Sequence, residues 1–198
     1  MDSCHDDLVW SNDPIRRPLR SLEPVTMPEA IKSNLVEDID NYLSPAAEKY
    51  YANRGIPWRR GYLLYGPPGT GKTSLAQAIA THFKLDIYLL DLAQPKLNDE
   101  SLADLFAKLP NSCLVLIEDI DSSGIRREKM CIKKNHDDEQ DAAKVTLSGL
   151  LNVIDGAAAK EGRLLLILSN EPDSLDSALV RAGRVDRKIY MGNAKLRC

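Results

Sequence analysis

The sequence predicts an α/β fold, a parallel sheet of about five strands with helices on both faces. Three observations carry that expectation. Short apolar runs at residues 62–65, 85–92, 113–117, 163–169 and 188–191 alternate with helical patterns, as a parallel sheet requires. Residues 113–117 are apolar without interruption, as befits a strand covered on both faces. A glycine-rich loop lies between the first run and the helix after it. The 198 residues are 43% hydrophobic and 28% charged, enough for one large α/β domain.

The loop reads Gly66-Pro67-Pro68-Gly69-Thr70-Gly71-Lys72-Thr73 and fits G-x-x-x-x-G-K-[ST], with the strand before and the helix after that this motif needs. Its glycines let successive N–H groups turn toward one anion, and the helix N-terminus adds partial positive charge there. Lys72 is expected to reach the β- and γ-phosphates of a nucleotide and Thr73 to ligate Mg²⁺ through its hydroxyl. Leu75, Ile79 and Phe83 give the following helix one apolar stripe.

The other elements follow in chain order. Residues 1–22 are polar and broken by Pro14 and Pro18, so an extended arm is expected there, with the folded domain over residues 23–198. Arg16 and Arg17 read as a solvated pair. Pro28 opens a helix marked by Ile31, Leu35, Ile39 and Leu43, and Ser44-Pro45 starts a second that ends near Gly55. Asn98 or Asp99 caps a helix carrying Leu102, Leu105, Phe106 and Leu109. Residues 122–141 are rich in both charges and read as a surface loop. Leu147, Leu150, Leu151 and Ile154 mark a helix ended near Gly156, and a short helix is expected around residues 174–182.

Composition excludes several classes. With 26 basic and 29 acidic residues, net charge −3, nothing in the balance favours nucleic acid or an anionic membrane. Cys4, Cys113, Cys131 and Cys198 form no C-x-x-C pair, so neither a disulfide framework nor a zinc site is signalled. No apolar run approaches the roughly 18–20 residues of a membrane span. The acidic N-terminus has neither a signal-peptide core nor a basic transit pattern.

A phosphate loop needs a second strand that ends in acid, and Leu114-Val115-Leu116-Ile117-Glu118-Asp119 fits the Walker-B arrangement. With Glu118-Asp119-Ile120-Asp121, Asn170 and the block Ala178-Leu179-Val180-Arg181-Ala182-Gly183-Arg184-Val185-Asp186, the chain resembles the AAA subfamily of P-loop ATPases. Residues 51–62 and 147–156 resemble one branch of it, the mitochondrial inner-membrane chaperone that translocates the folded Rieske iron–sulfur protein, and its fungal relatives.

The resemblance implies ATP and Mg²⁺ as cofactors, a homo-oligomeric ring and protein cargo. A DNA-acting relative would share the fold, but the charge balance offers it no basic patch, so no nucleic-acid partner is expected. It implies catalytic roles for Asp119 as base, Asn170 as polar sensor, and Arg181 and Arg184 as fingers reaching the neighbouring subunit's nucleotide. Residues 66–73 would bind the nucleotide, with Thr73 and Glu118 toward the metal. Most relatives order the acids Asp-Glu; this chain has Glu118-Asp119, as the resembled branch does, so the pair is expected to be competent, with a shorter base slowing hydrolysis. The segment after Leu92 lacks the aromatic–apolar–Gly pore loop of threading unfoldases, which agrees with folded cargo or with a machine that does not thread at all. The chain stops at Cys198, before the family's helical lid, so a lid, a transmembrane helix and the branch's own N-terminal domain are expected to be missing. The competing expectation is a nucleotide-binding module with little turnover.

Overall fold

The computed structural model describes residues 20–121, 145–156 and 159–192. The arm expected over residues 1–22 lies almost wholly outside them, as does the loop at 122–141.

Five strands form one parallel sheet: β1 (Arg60–Tyr65), β2 (Asp86–Asp91), β3 (Cys113–Glu118), β4 (Leu164–Ser169) and β5 (Arg187–Tyr190), in the spatial order β2-β3-β4-β1-β5. Among the described residues five α-helices connect or precede them: α1 (Glu29–Leu43), α2 (Pro45–Arg54), α3 (Lys72–Phe83), α4 (Asp99–Lys108) and α5 (Leu147–Asp155). The α/β fold and the strand count match the expectation.

Alternation along the strands divides the core in two, because successive side chains point to opposite faces. Leu63, Val115, Ile117, Leu165 and Ile167 face α4 and α5, where Leu102, Leu105, Phe106, Leu150 and Ile154 cover them. Tyr62, Leu64, Leu114, Leu116, Leu166 and Leu168 face α1 and α3, under Leu35, Ile39, Leu75 and Ile79. Cys113 is buried within the first layer, and burial pushes its thiol up to about 11, so it behaves as an inert core residue.

Local chemistry sets the helix ends. Ser44 accepts from the Ala47 amide to cap α2, and Gly55, at φ 61°, closes it. Asn98 and Ser101 form a reciprocal capping box on α4, so Asn98 is the cap and Asp99 the first helical residue.

Three expectations change in detail. Residues 174–182 form no α-helix: a single 3₁₀ turn spans Pro172–Ser174, and tight turns follow. Asp176 accepts from the Ala178 amide through its side chain and from the Leu179 amide through its carbonyl, so the backbone is satisfied without a helix. In α1 the buried residues are Leu35, Ile39 and Tyr42, while Ile31 is exposed. In β2, Ile87 and Leu89 are exposed, because the strand lies at the edge of the sheet and pairs only with β3.

Candidate functional site

The parallel register brings the carboxyl ends of the strands to one edge. Asp91 lies beside Glu118, and Tyr65 lies beside both Ser169 and Tyr190. In open α/β sheets the ligand crevice lies outside this edge. The glycine loop leaves β1 here and turns into α3, whose first helical residue is Lys72. Gly69 and Gly71 take φ of 77° and 90°, a region in which a Cβ is strained, and neither has a heavy atom within 4 Å of where a Cβ would sit. The loop is therefore a backbone cradle with open space over Gly69 and Gly71, while Gly66 packs against the Met191 backbone.

Lys72 closes the cradle from below. Its Nζ donates to the Gly66 carbonyl at 2.7 Å, the Pro67 carbonyl at 2.9 Å and Asn170 Oδ1 at 2.7 Å. All three acceptors are neutral, and the side chain is buried. Burial holds the ammonium below the ordinary lysine range, against the charges of Asp119 and Asp121, which pull it up.

The next residue turns to the acidic strand. Thr73 Oγ1 donates to Glu118 Oε1 at 2.7 Å. Asp119, one residue beyond β3, has φ of 45°, a left-handed conformation that Asp tolerates better than most residues. Asn170 Nδ2 donates to Asp119 Oδ1 at 3.4 Å, so the Asn170 amide spans from Lys72 to Asp119. Lys72, Thr73, Glu118, Asp119 and Asn170 thus come together from three segments distant in sequence.

Arg181 and Arg184 are not part of this cluster. Arg181 is exposed. Arg184 donates from Nε to Asp155 Oδ2 at 2.6 Å and from Nη1 to the Ala178 carbonyl at 2.6 Å. It lines a cleft with Arg59, Arg60, Lys160 and Arg163, near the starts of β1 and β4, at the end of the sheet opposite the glycine loop.

Sequence reasoning passed over one residue of the site. Asp121 is buried and accepts from Ser169 Oγ at 2.7 Å, the Asn170 amide at 2.6 Å and the Glu171 amide at 3.3 Å. Its only signal was the repeated acid in Glu118-Asp119-Ile120-Asp121. Finding the contact requires knowing that β3 and β4 are neighbours.

A glycine loop after the first strand, a lysine at its helical end and an acid-tipped strand in this strand order define a P-loop nucleotide-binding domain. The chain belongs to the AAA family: the model for "ATPase family associated with various cellular activities (AAA)" matches residues 62–193. It is similar to "Probable mitochondrial chaperone BCS1-A" of Dictyostelium discoideum, 42% identical over 185 residues, 93% of this chain and 43% of that protein. The match to "Mitochondrial chaperone BCS1" of Homo sapiens is 41% over 177 residues, covering 89% of this chain and 41% of that protein. "AAA-ATPase At5g17730" of Arabidopsis thaliana is 38% identical over 192 residues, 96% of this chain and 40% of that protein. The chain spans about two fifths of the length of these relatives. Among the described residues no helix is long and apolar enough to cross a membrane.

Proposed function

We propose that this chain is the ATP-hydrolysing part of a ring-forming chaperone that moves protein cargo at the mitochondrial inner membrane. The family membership supports the ATPase class, and the names of the relatives support the chaperone role and the mitochondrial setting. The observation that carries the chemistry is the convergence of Lys72, Thr73, Glu118, Asp119 and Asn170 at the carboxyl edge of the sheet.

Residues 66–73 would hold the phosphates, through loop amides and the Lys72 ammonium. The donor set suits Mg²⁺, which takes one hydroxyl and one carboxylate from the protein, here Thr73 and Glu118, and its remaining oxygens from phosphates and water. When bound, the ion draws off charge that develops on the phosphate oxygens. Asp119 would accept the proton of the attacking water, with Asn170 fixing the carboxylate and the water between them. Arg181 and Arg184, remote from their own loop, would act on the nucleotide of a neighbouring subunit.

The test is steady-state phosphate release against protein concentration, with Lys72→Ala as the blank. A ring enzyme gains specific activity as it assembles. Activity that stays flat, or that survives in Lys72→Ala, would count against the reading.

A further inference from the structure

We propose that Asp121 is a positioning residue for turnover: its buried carboxylate holds Asn170 where the amide can span Lys72 and Asp119. The proposal rests on the ATPase reading above, and it assigns a role to the third acid of the Glu118-Asp119-Ile120-Asp121 run.

The geometry is specific. Asp121 lies just past the end of β3 and accepts from three donors at the exit from β4. Oδ1 accepts from the Ser169 hydroxyl, and Oδ2 accepts from the amides of Asn170 and Glu171. A carboxylate accepting two amides and a hydroxyl makes charge-assisted bonds, roughly twice as strong as neutral ones. Ser169 is the last residue of β4 and is buried, so the bend from β4 into Asn170 is clamped as the chain leaves the sheet. The Asn170 backbone is therefore fixed by Asp121, while its side chain is free to face the site.

That side chain is where precision counts. Its Oδ1 meets Lys72 Nζ at 2.7 Å and its Nδ2 meets Asp119 at 3.4 Å. A displacement of Asn170 by about 1 Å would break one contact or both, and misplacements of that size cost on the order of 100-fold in rate. Ile120, between the two acids, is fully buried in the core layer under α4 and α5. The segment from Asp119 to Asp121 is thereby anchored, so movement at the β4 exit is limited by Asp121 itself.

Asp121 holds the β4 exit through its hydrogen bonds and adds only its charge to the field at Lys72, as Asp119 does, so its loss should lower turnover far more than it changes ATP affinity. Asp121→Asn keeps the shape but replaces one acceptor oxygen by an amide donor, which faces donors on Ser169, Asn170 or Glu171. The experiment combines two measurements on the full-length, assembled protein. The first is amide hydrogen exchange without nucleotide. The second is turnover beside ATP affinity.

The expected result is faster exchange, by roughly tenfold or more, confined to Asn170 and Glu171, with β4 and α3 as protected as before. Turnover should fall roughly 10- to 100-fold while ATP affinity stays within about twofold. Ser169→Ala, which removes the hydroxyl donor and leaves both amide bonds, should give a smaller loss in the same direction. Unchanged exchange at residues 170–171 would overturn the proposal. So would unchanged turnover, or exchange that rises across the whole sheet together with lost ATP affinity, which would make Asp121 a structural staple only. Absence of turnover in the unsubstituted protein would count against the ATPase reading instead. The exchange measurement, which needs no nucleotide, would still decide whether Asp121 holds Asn170.

Discussion

A buried ammonium whose three acceptors are neutral carbonyl oxygens is a charge waiting for an anion, and Lys72 is that group. Hydrogen bonds from a charged donor contribute about 1.5–3 kcal/mol, so Lys72→Ala should weaken ATP binding about 10- to 150-fold. Calorimetry that found unchanged affinity would remove Lys72 from the site. The two acids should separate cleanly. Asp119→Asn keeps the shape but removes the base, and should leave ATP bound while turnover falls roughly 100-fold or more. Glu118→Gln can still accept from Thr73 but lowers the charge beside it, and should chiefly raise the Mg²⁺ concentration needed for half-maximal activity. Titrating Mg²⁺ against turnover in both variants checks the assignment, and reversed phenotypes would mean the acids have exchanged roles. The loop was legible in the sequence because its chemistry is local: eight consecutive residues carry both the backbone freedom and the cation. Asp121 was not legible, since its partners lie 48 to 50 residues away on a neighbouring strand.

At the scale of elements, the sheet is tied to α1 by one carboxylate. Asp38 accepts from Arg60 Nε at 3.1 Å and from the Tyr62 hydroxyl, and Arg187 Nε lies 3.6 Å away, so α1, β1 and β5 share a charge. Burial alone would push the Asp38 carboxyl up, but the bonds from Arg60 and Tyr62 and the charges of Arg60 and Arg187 more than offset it. The group ends below the usual carboxylate range. The sign follows: a depressed folded pKa gives stability that is present above the unfolded value of about 3.9 and is lost as pH falls through the lower folded value. Asp38→Asn should therefore cost about 1–3 kcal/mol near neutral pH. The gap to the unsubstituted protein should narrow as denaturant melts are repeated below pH 4; a gap independent of pH would refute the charge-based account. The same scale shows where patterns mislead. Steps of four residues advance 40° beyond a full helical turn, so along the stripe through Ile31, Leu35 and Ile39 the fully buried residue of the last turn is Tyr42, with Leu43 only partly buried beside it. Leu175 and Leu179 are buried four apart, like a helix, yet the chain between them is held by the Asp176 turn. Periodicity records which residues face the core, and more than one backbone path can satisfy it.

At the scale of the whole molecule, the proposed site residues divide between two ends of the sheet. The glycine loop and its acids occupy the carboxyl edge, while Arg184 sits near the strand starts, held by Asp155 in a cleft lined by Arg59, Lys160 and Arg163. Under the proposed ring, a guanidinium so placed would serve a phosphate on another copy, since head-to-tail packing would bring one subunit's far end to its neighbour's loop. Complementation tests this directly in the assembled protein. Lys72→Ala should disable a subunit's own nucleotide site but leave its arginines intact. Arg184→Ala should bind ATP normally and lack the finger, with turnover down roughly 10³-fold or more. Each homogeneous ring should then be nearly inactive. In a random one-to-one mixture, a site works wherever an Arg184→Ala subunit is served by a Lys72→Ala neighbour, which is roughly a quarter of all sites in a closed ring. Recovery of phosphate release toward that fraction would place Arg184 in trans. No recovery, with mixed rings verified by native mass spectrometry, would mean that the arginine serves its own subunit or none, and the division of labour between the two ends of the sheet would have to be abandoned.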